Sequence, residues 1–253
     1  MKKKVLVSGC NGHMGRIVCS LIAKTEDMEV SCGFDIVEDL SGAFPIYNDI
    51  KSLSDSNHAV DIIIDFSSPK ATNEISKYAW LSKTPIVIAT TGLSNEFMEN
   101  ITKISQDIPV FQAANMSIQV NLVKHVLQMI TQTIPEAEVE ITETHHNRKK
   151  DAPSGTAKVF ANAIKESLDT ITGVSYDINY GRTEKREKNE IGVCAKRGGN
   201  IVGTHTVEFF SPFETLEVTH TAHSRELFAD GAITVARFLL SKDPGLYEMD
   251  DLI

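Results

Sequence analysis

Residues 5–22 read V-L-V-S-G-C-N-G-H-M-G-R-I-V-C-S-L-I. Four residues suited to a buried strand run into three glycines spaced by two residues each. Ile17, Val18, Leu21 and Ile22 then recur at helical spacing. Strand, glycine loop and helix in that order open a dinucleotide-binding unit. Gly9 permits the tight turn, Gly12 lets the backbone approach a pyrophosphate, and Gly15 lets the helix lie close to the strand. Glycines also end strands for steric reasons alone, so the reading needs a second signal. The run Glu29–Phe34 supplies it: this next strand ends at Asp35, about 20 residues past the glycines, where a carboxylate can accept hydrogen bonds from ribose hydroxyls.

Outward from there the alternation continues. Strands are expected over 60–66, 85–89 and 108–112, helices over about 69–81 and 95–105, with small polar loops at Ser67, Thr90 and Asn115 closing the strands. Such an alternation predicts a parallel, doubly wound sheet that binds its ligand at the carboxyl ends of its strands. The amphipathic helix over 119–130 leads into a second region. There 138–144 alternates as a half-exposed strand ending at His145 and His146, and 157–168 is helical. Residues 176–180 make a short strand. The runs 191–195, 201–210 and 215–221 read as an antiparallel meander, turning at Gly198-Gly199-Asn200 and Ser211-Pro212-Phe213. The polar run 181–190, with four cations and three acids, reads as a mobile loop. The apolar helix 227–240 is expected to return to the first region. The fold class is therefore α/β: an N-terminal Rossmann-type doubly wound parallel sheet, plus a second α+β domain with a mixed, largely antiparallel sheet. The expected division is 1–117 completed by 226–253 for dinucleotide binding, and 118–225 for substrate binding and oligomerisation.

Composition narrows the function. A net charge of -9 over 253 residues disfavours nucleic acid as a partner. It also makes the local cluster Arg148-Lys149-Lys150 an exception. No apolar run reaches membrane-spanning length, and the N-terminus lacks the apolar stretch of a signal peptide. Cys10, Cys19, Cys32 and Cys194 have neither C-x-x-C pairing nor metal-ligand spacing. The expectation is a cytoplasmic protein without a resident metal.

The chemistry concentrates in 142–157, T-E-T-H-H-N-R-K-K-D-A-P-S-G-T-A. His145 can give or take a proton near neutral pH. Lys149 can do the same if desolvated, or hold a carboxylate. The backbone amides of Ser154, Gly155 and Thr156, at a helix start, form a carboxylate cradle to which the Thr156 hydroxyl adds a donor. The plain alternatives are that paired histidines at a strand end lie on the surface and that S-G-T only caps a helix. For the cofactor, Asp35 repels a ribose phosphate, Ile36 follows it, and no Lys or Arg occurs from Thr25 to Ile50. NADH is therefore expected over NADPH, with NADPH possible through His13 or Arg16.

At these residues the chain resembles the dihydrodipicolinate reductase (4-hydroxy-tetrahydrodipicolinate reductase) family of lysine biosynthesis. Residues 143–157 fit its signature E-x-H-H-x-x-K-x-D-A-P-S-G-T-A. G-x-x-G-x-M-G at 9–15, D-F-S-x-P at 65–69, T-T-G at 90–92 and A-A-N-M-S at 113–117 fit as well. So do I-V-G-x-H at 201–205, L-E-x-T-H-x-A-x-S-R at 216–225 and F-A-D-G-A at 228–232. The resemblance implies NAD(P)H-dependent reduction of 4-hydroxy-tetrahydrodipicolinate, a small dicarboxylate, in the diaminopimelate route. It implies His145 as catalytic acid/base and Lys149 as proton donor for loss of the 4-hydroxyl group. His146, Gly155 and Thr156 would bind substrate, with Ser154 and Lys150 beside them. Cofactor contacts would come from Gly9, Cys10, Asn11, Gly12, His13, Met14, Asp35, Ala89, Thr90, Thr91, Ala113, Ala114, Asn115, Met116 and Arg225. It also implies a homotetramer joined through the second domain's sheet. Many members carry Arg where this chain has Ile36, which again favours NADH here. Two rivals share the glycine loop alone: another two-domain NAD(P)-dependent reductase, or a dinucleotide-responsive sensor without catalytic proton donors.

Overall fold

Lys3–Ser8 (β1) is flanked by charged lysines on one side and Gly9 on the other, and its last four residues are buried. In the computed structural model, which describes residues 1–39 and 41–253, this strand is central to a seven-stranded sheet. The other strands are Met28–Phe34 (β2), Ile46–Tyr47 (β3), Ile62–Asp65 (β4), Ile86–Ile88 (β5), Pro109–Gln112 (β6) and, far along the chain, Gly245–Tyr247 (β12). Their order is β12-β6-β5-β4-β1-β2-β3, and every pairing between them is parallel. The doubly wound sheet read from the sequence is thus present. Its strand order reverses between β1 and β4, the place where open α/β sheets open a ligand crevice.

Two apolar layers sandwich that sheet because its strands are buried on both faces. Val5, Val7, Ile62 and Ile64 face His13–Ile22 (α1) and Glu226–Leu239 (α7). Leu6, Cys32 and Ile63 face the other way, onto Pro69–Ser82 (α3) and Asn95–Ile104 (α4). The helix starts are written locally: Ser68 and Ser94 accept hydrogen bonds from Ala71 N–H and Phe97 N–H, and Pro69 takes the first helical position. A short helix, Ile50–Asp55 (α2), begins at the Asp49 cap. β3 and β12, two and three residues long, are too brief to leave a periodic signal in the sequence.

Contacts divide the chain into two units, Met1–Ile118 with Arg225–Ile253, and Gln119–Ser224. The second unit holds a five-stranded sheet ordered β11-β10-β7-β9-β8. These strands are Glu138–His145 (β7), Asp177–Tyr180 (β8), Glu190–Arg197 (β9), Gly203–Phe210 (β10) and Thr215–Ala222 (β11). One face is covered by Gly155–Thr172 (α6) and Ile118–Thr133 (α5). Phe160, Ile164 and Leu168 of α6 are essentially buried against Val139, Ile141, Ile191, Val193, Val207 and Phe209. Burial of each such side chain contributes about 1.5–3 kcal/mol.

The expected three-strand meander is corrected here. β10 and β11 do form an antiparallel hairpin, but β9 pairs in parallel with β7 and never touches β10, because β7 lies between them. Residues 198–202 therefore arch over the end of β7 instead of making a hairpin turn. Gly198 N–H donates to His145 O, His146 N–H to Ile201 O and Asn147 N–H to Gly199 O. A two-strand turn signal cannot reveal that a strand made fifty residues earlier has been inserted. The polar run after β8 also differs from a free loop. Arg182 and Arg186 ion-pair with Glu140 on β7, and Arg182 with Glu190, which fastens the run to the sheet. Among the described residues no helix is long and apolar enough to cross a membrane.

Candidate functional site

In the first unit, the glycine loop is built as its spacing requires. Gly9 has φ +77°, and a Cβ there would come within 2.5 Å of the Phe66 carbonyl oxygen. A Cβ on Gly15 would sit 2.0 Å from the Gly9 oxygen, so only glycine lets α1 approach the strand end. Gly12 caps α1 without any side-chain hydrogen bond, and the first turn carries no acid. The amides of that turn are therefore available to an anion. Asp35 is tied to the loop by Asn11 N–H at 2.8 Å and to its own neighbour by Ile36 N–H at 2.7 Å.

A cleft of about 870 Å³ opens beside these residues, lined among others by Gly9, Gly12, Asp35, Ile36, Phe66 and Ser67. A smaller recess of about 300 Å³ follows, formed by Met14, Phe66, Ser67, Ala89, Thr90, Thr91, Ala114, Met116 and Phe228. Both lie at the carboxyl ends of the strands. The first has the acid and glycines suited to an adenosine diphosphate, and the second the small and apolar walls suited to a flat ring. The residues present thus fit a nicotinamide dinucleotide. Under the recess, the fully buried Asp65 receives hydrogen bonds from Ser67 Oγ (2.5 Å), Thr72 Oγ1 (2.6 Å) and Thr90 Oγ1 (2.8 Å). One carboxylate thereby locks the ends of β4 and β5 together with the first turn of α3.

The structure qualifies several expected contacts. Cys10 turns its thiol into the core, where burial, with the Asp35 charge second, pushes its pKa up to about 11; only its backbone faces the loop. His13 is exposed at the start of α1, and Ala113 packs partly against the core. Asn115 Oδ1 accepts from Ser117 N–H. Arg225 is an exposed N-cap residue of α7 and lines neither recess. Lys51 and Lys70, which the sequence reading passed over, both line the larger cleft.

The second unit gathers the proton-transfer candidates at one end of its sheet. Along β7 the covered face is met by Val139, Ile141, Glu143 and His145 in turn, with Glu143 fully buried. Across the sheet, Glu143 lies in register with Ala195 on β9 and His205 on β10, and His205 with His220 on β11. In the next row His145 stands opposite Arg197. On β7, β9 and β10 the covered face thus begins with apolar side chains (Val139 and Ile141, Ile191 and Val193, Phe209 and Val207) and reaches polar ones at the other end (Glu143 and His145, Arg197, His205).

These polar residues form one connected network. Glu143 Oε1 accepts Ser154 N–H at 3.0 Å and Arg197 Nη2 at 2.7 Å. Glu143 Oε2 accepts Arg197 Nη1 at 2.8 Å and lies 2.5 Å from His145 Nδ1. Burial alone raises the Glu143 carboxyl; hydrogen bonds from Arg197, His145 and the Ser154 amide outweigh it and hold the group below the usual carboxylate range. Ionised, it is acceptor-only, so His145 Nδ1 is the donor. The His145 and His205 rings meet edge-on with centroids 5.2 Å apart. His205 Nε2 reaches Ser154 Oγ at 2.8 Å. Burial and, next, repulsion from His145 push the His205 pKa down to about 4. Gly203 leaves room for the catalytic candidate, since a Cβ there would meet His145 Nε2 at 2.9 Å.

Ser154 also caps α6 through Ala157 N–H, which places Gly155 and Thr156 at the first helical positions. Lys149, with only 20% of its side chain exposed, pairs with Asp151 at 2.9 Å. That hydrogen bond depresses the Asp151 pKa. His145, Lys149, Ser154, Gly155 and Thr156 therefore belong to one unit and one edge of it. Glu143, Arg197, His205 and His220 are the residues that the sequence reading left without a role. Each is a polar residue in phase with the buried side of its strand, a readable signal because unpaired burial is costly. Among the described residues no group of three or more His, Cys, Asp or Glu is placed to hold a metal ion.

Comparisons with known proteins agree along the whole chain. Residues 3–116 match the family description "Dihydrodipicolinate reductase, N-terminus", and residues 119–253 match "Dihydrodipicolinate reductase, C-terminus". The 4-hydroxy-tetrahydrodipicolinate reductase of Caldanaerobacter subterraneus subsp. tengcongensis is 41% identical over 253 residues, covering 100% of this chain and 99% of the relative. That of Clostridium novyi is 42% identical over 255 residues, covering 99% and 98%. In fold, the chain superposes with a TM-score of 0.83, at 21% identity and full coverage of both, on a dipicolinate-bound dihydrodipicolinate reductase from Paenisporosarcina sp. TG-14. With both halves matched in order and relatives above 40% identity spanning its length, the chain belongs to the dihydrodipicolinate reductase family.

Proposed function

We propose that the protein reduces 4-hydroxy-tetrahydrodipicolinate to tetrahydrodipicolinate in the diaminopimelate route to lysine, using a nicotinamide cofactor. The observation that carries the reading is the end of β7. An imidazole backed by a buried carboxylate stands there on the same unit as a near-buried lysine and the amide-rich start of α6. Substrate is held with one carboxylate on the first-turn amides of Gly155 and Thr156, where the helix dipole favours an anion; the Ser154 N–H expected to join them is taken by Glu143 Oε1. His146 and Lys150 offset its remaining charge. Lys149 gives a proton to the departing 4-hydroxyl group, and its pairing with Asp151 keeps the ammonium aimed. His145 moves a proton at Nε2 while Nδ1 stays bonded to Glu143. When bound, the reduced nicotinamide would supply a hydride to ring position 4, which with one proton reduces the carbon–carbon double bond left by loss of water while the C=N bond is kept.

Gly9, Cys10, Asn11, Gly12, His13 and Asp35 hold the dinucleotide on the adenosine side, and Met14, which lines the smaller recess, meets it on the ring side. Ala89, Thr90, Thr91, Ala113, Ala114, Asn115 and Met116 hold it on the ring side, with Arg225 nearby. Asp35 and Ile36 favour NADH over NADPH; Lys51 and Lys70 in the same cleft give NADPH a route to bind. A homotetramer is proposed through the sheet face that α5 and α6 leave uncovered. There Thr206 Oγ1 meets Thr219 Oγ1 at 3.0 Å within an exposed β11 edge. We place the enzyme in the cytoplasm, which suits its four free thiols.

The test is direct. Cofactor oxidation, followed by absorbance, should depend on the condensation product of pyruvate and aspartate semialdehyde. Lys149→Ala should lower kcat by about 10²–10⁴-fold while cofactor affinity stays unchanged. A Lys149→Ala enzyme of near-normal rate removes that residue from the chemistry.

A further inference from the structure

Glu143 is not a surface acid that happens to lie near a histidine. It is fully buried, its two oxygens receive four hydrogen bonds, and these come from three separate parts of the second unit. Arg197 on β9 supplies two of them from a single guanidinium and uses the same Nη2 to donate to Asp151 O at 2.6 Å. The Ser154 amide supplies the third, at the N-cap of α6. His145 Nδ1 supplies the fourth. The carboxylate thus joins the proposed proton-transfer group to the proposed anion cradle, and the arginine fixes the carboxylate.

Taking the reading of His145 as the proton-transfer residue, we infer that Glu143 and Arg197 are positioning residues for it. Glu143 selects the Nδ1–H form of the imidazole and holds the ring, leaving Nε2 as the atom that exchanges protons, while Arg197 holds Glu143 in place. The groups facing the ring bear this out. Arg197 stands beside it on β9 and cannot accept a proton from it. His205 on β10 meets it edge-on, and Gly203 on β10 lies against Nε2 without a side chain. Of these neighbours Glu143 alone accepts from Nδ1.

The hydrogen-bond inventory makes the consequence of Glu143→Gln specific. An amide must put its NH2 where one carboxylate oxygen was. At the Oε1 position it would face two obligate donors, Ser154 N–H and Arg197 Nη2. At the Oε2 position it faces Arg197 Nη1 and an imidazole, and the imidazole can turn acceptor. The amide nitrogen therefore takes the Oε2 position and donates to His145 Nδ1, and the ring shifts its proton to Nε2. The variant keeps the shape of the site and inverts the tautomer; a carboxylate-to-amide change of this kind in a triad lowers turnover by about 10⁴-fold.

The experiment compares wild type, Glu143→Gln, His145→Ala and the double variant, with steady-state rates, NADH affinity by cofactor fluorescence and nitrogen-15 spectra of the imidazoles. His145→Ala identifies the His145 signals. The expected result is an Nδ1–H imidazole in wild type and an Nε2–H one in Glu143→Gln. We expect kcat lowered by about 100-fold or more, NADH affinity kept within two-fold, and no further loss when Glu143→Gln is added to His145→Ala. Should Glu143→Gln fail to fold, the wild-type spectrum decides: an Nε2–H imidazole at position 145 overturns the inference. So does Glu143→Gln with the tautomer and rate of wild type, or with an equal loss in the His145→Ala background, which marks a structural role. His145→Ala of near-normal rate has a different meaning: it defeats the reading of the site while the spectra still report on Glu143.

Discussion

Arg197→Met leaves Glu143 buried without its charge partner, and the structure sets the size of the effect. Breaking a buried pair by removing one member costs about 3–5 kcal/mol. Glu143 keeps the Ser154 amide and His145, and one-fifth of the Arg197 side chain is exposed, so the low end, about 3 kcal/mol, applies. The sign of the pH dependence follows. In the wild type the folded carboxyl titrates below its unfolded value, so its contribution is present above the unfolded pKa, near 4.5, and is lost as pH falls through the depressed folded value. Without Arg197 the first of the lowering contributions is gone while burial, the largest cause of all, remains, so the folded carboxyl is expected to rise above the unfolded value. The variant then regains stability as pH falls from neutrality towards 5, because the folded form binds the proton. The destabilisation relative to wild type should therefore shrink on acidification. The chain's single tryptophan, Trp80, belongs to α3 of the first unit and is blind to this change. Hydrogen exchange of the 138–145 amides, read by mass spectrometry at pH 7.5 and 5.5 with correction for intrinsic rates, reports on the right strand. A loss under about 1 kcal/mol, the value of a solvated surface pair, or one that grows on acidification, would refute the reasoning.

Two further outcomes are expected. His205 is held neutral in the fold, with its pKa lowered to about 4 from 6.5. Its contribution is whole above pH 6.5 and is lost as pH falls to 4, about 3 kcal/mol in all. His205→Gln should flatten the acid limb of a urea-stability profile for the second unit between those values, and an unchanged limb would contradict this. Replacing Lys51 and Lys70 together with Ala should weaken NADPH binding by up to about 30-fold, at up to about 1 kcal/mol per exposed charge pair, with NADH binding within two-fold. Calorimetric titration of both cofactors checks it, and equal losses for the two would separate those lysines from phosphate recognition.

Much of the fold was legible because local rules governed it. The β1–Gly9–α1 opening, the serine caps at Ser68, Ser94 and Ser154, and the continuous apolar strands each carry their own instruction within a few residues. The sheet of the second unit was harder. The turn residues Gly198-Gly199-Asn200 look the same whether they reverse a hairpin or bridge an inserted strand, so the position of β7 between β9 and β10 had no local trace. The site divides in the same way. His145, Lys149 and Ser154 to Thr156 lie in one contiguous stretch and could be read together. Glu143 lies within that stretch, but its function depends on Arg197, 54 residues away. Lys51 falls one residue beyond the Thr25–Ile50 window around Asp35, and Lys70 reaches the same cleft from α3, well outside any such window.

The arch of 198–202 across the end of β7 has a consequence for how the protein is made. β7 leaves the ribosome well before either strand that flanks it, so Glu143 and His145 exist for a time with no guanidinium and no β10 imidazole to meet them. Closing loops of this length is entropically slow relative to local helix formation, and α6 can wind up while its underlying sheet is still a single strand. The edge proposed here to be catalytic is consequently among the last parts of the second unit to be assembled during synthesis, and a nascent chain released before residue 210 carries the signature motif without the completed network of Glu143, Arg197 and His205.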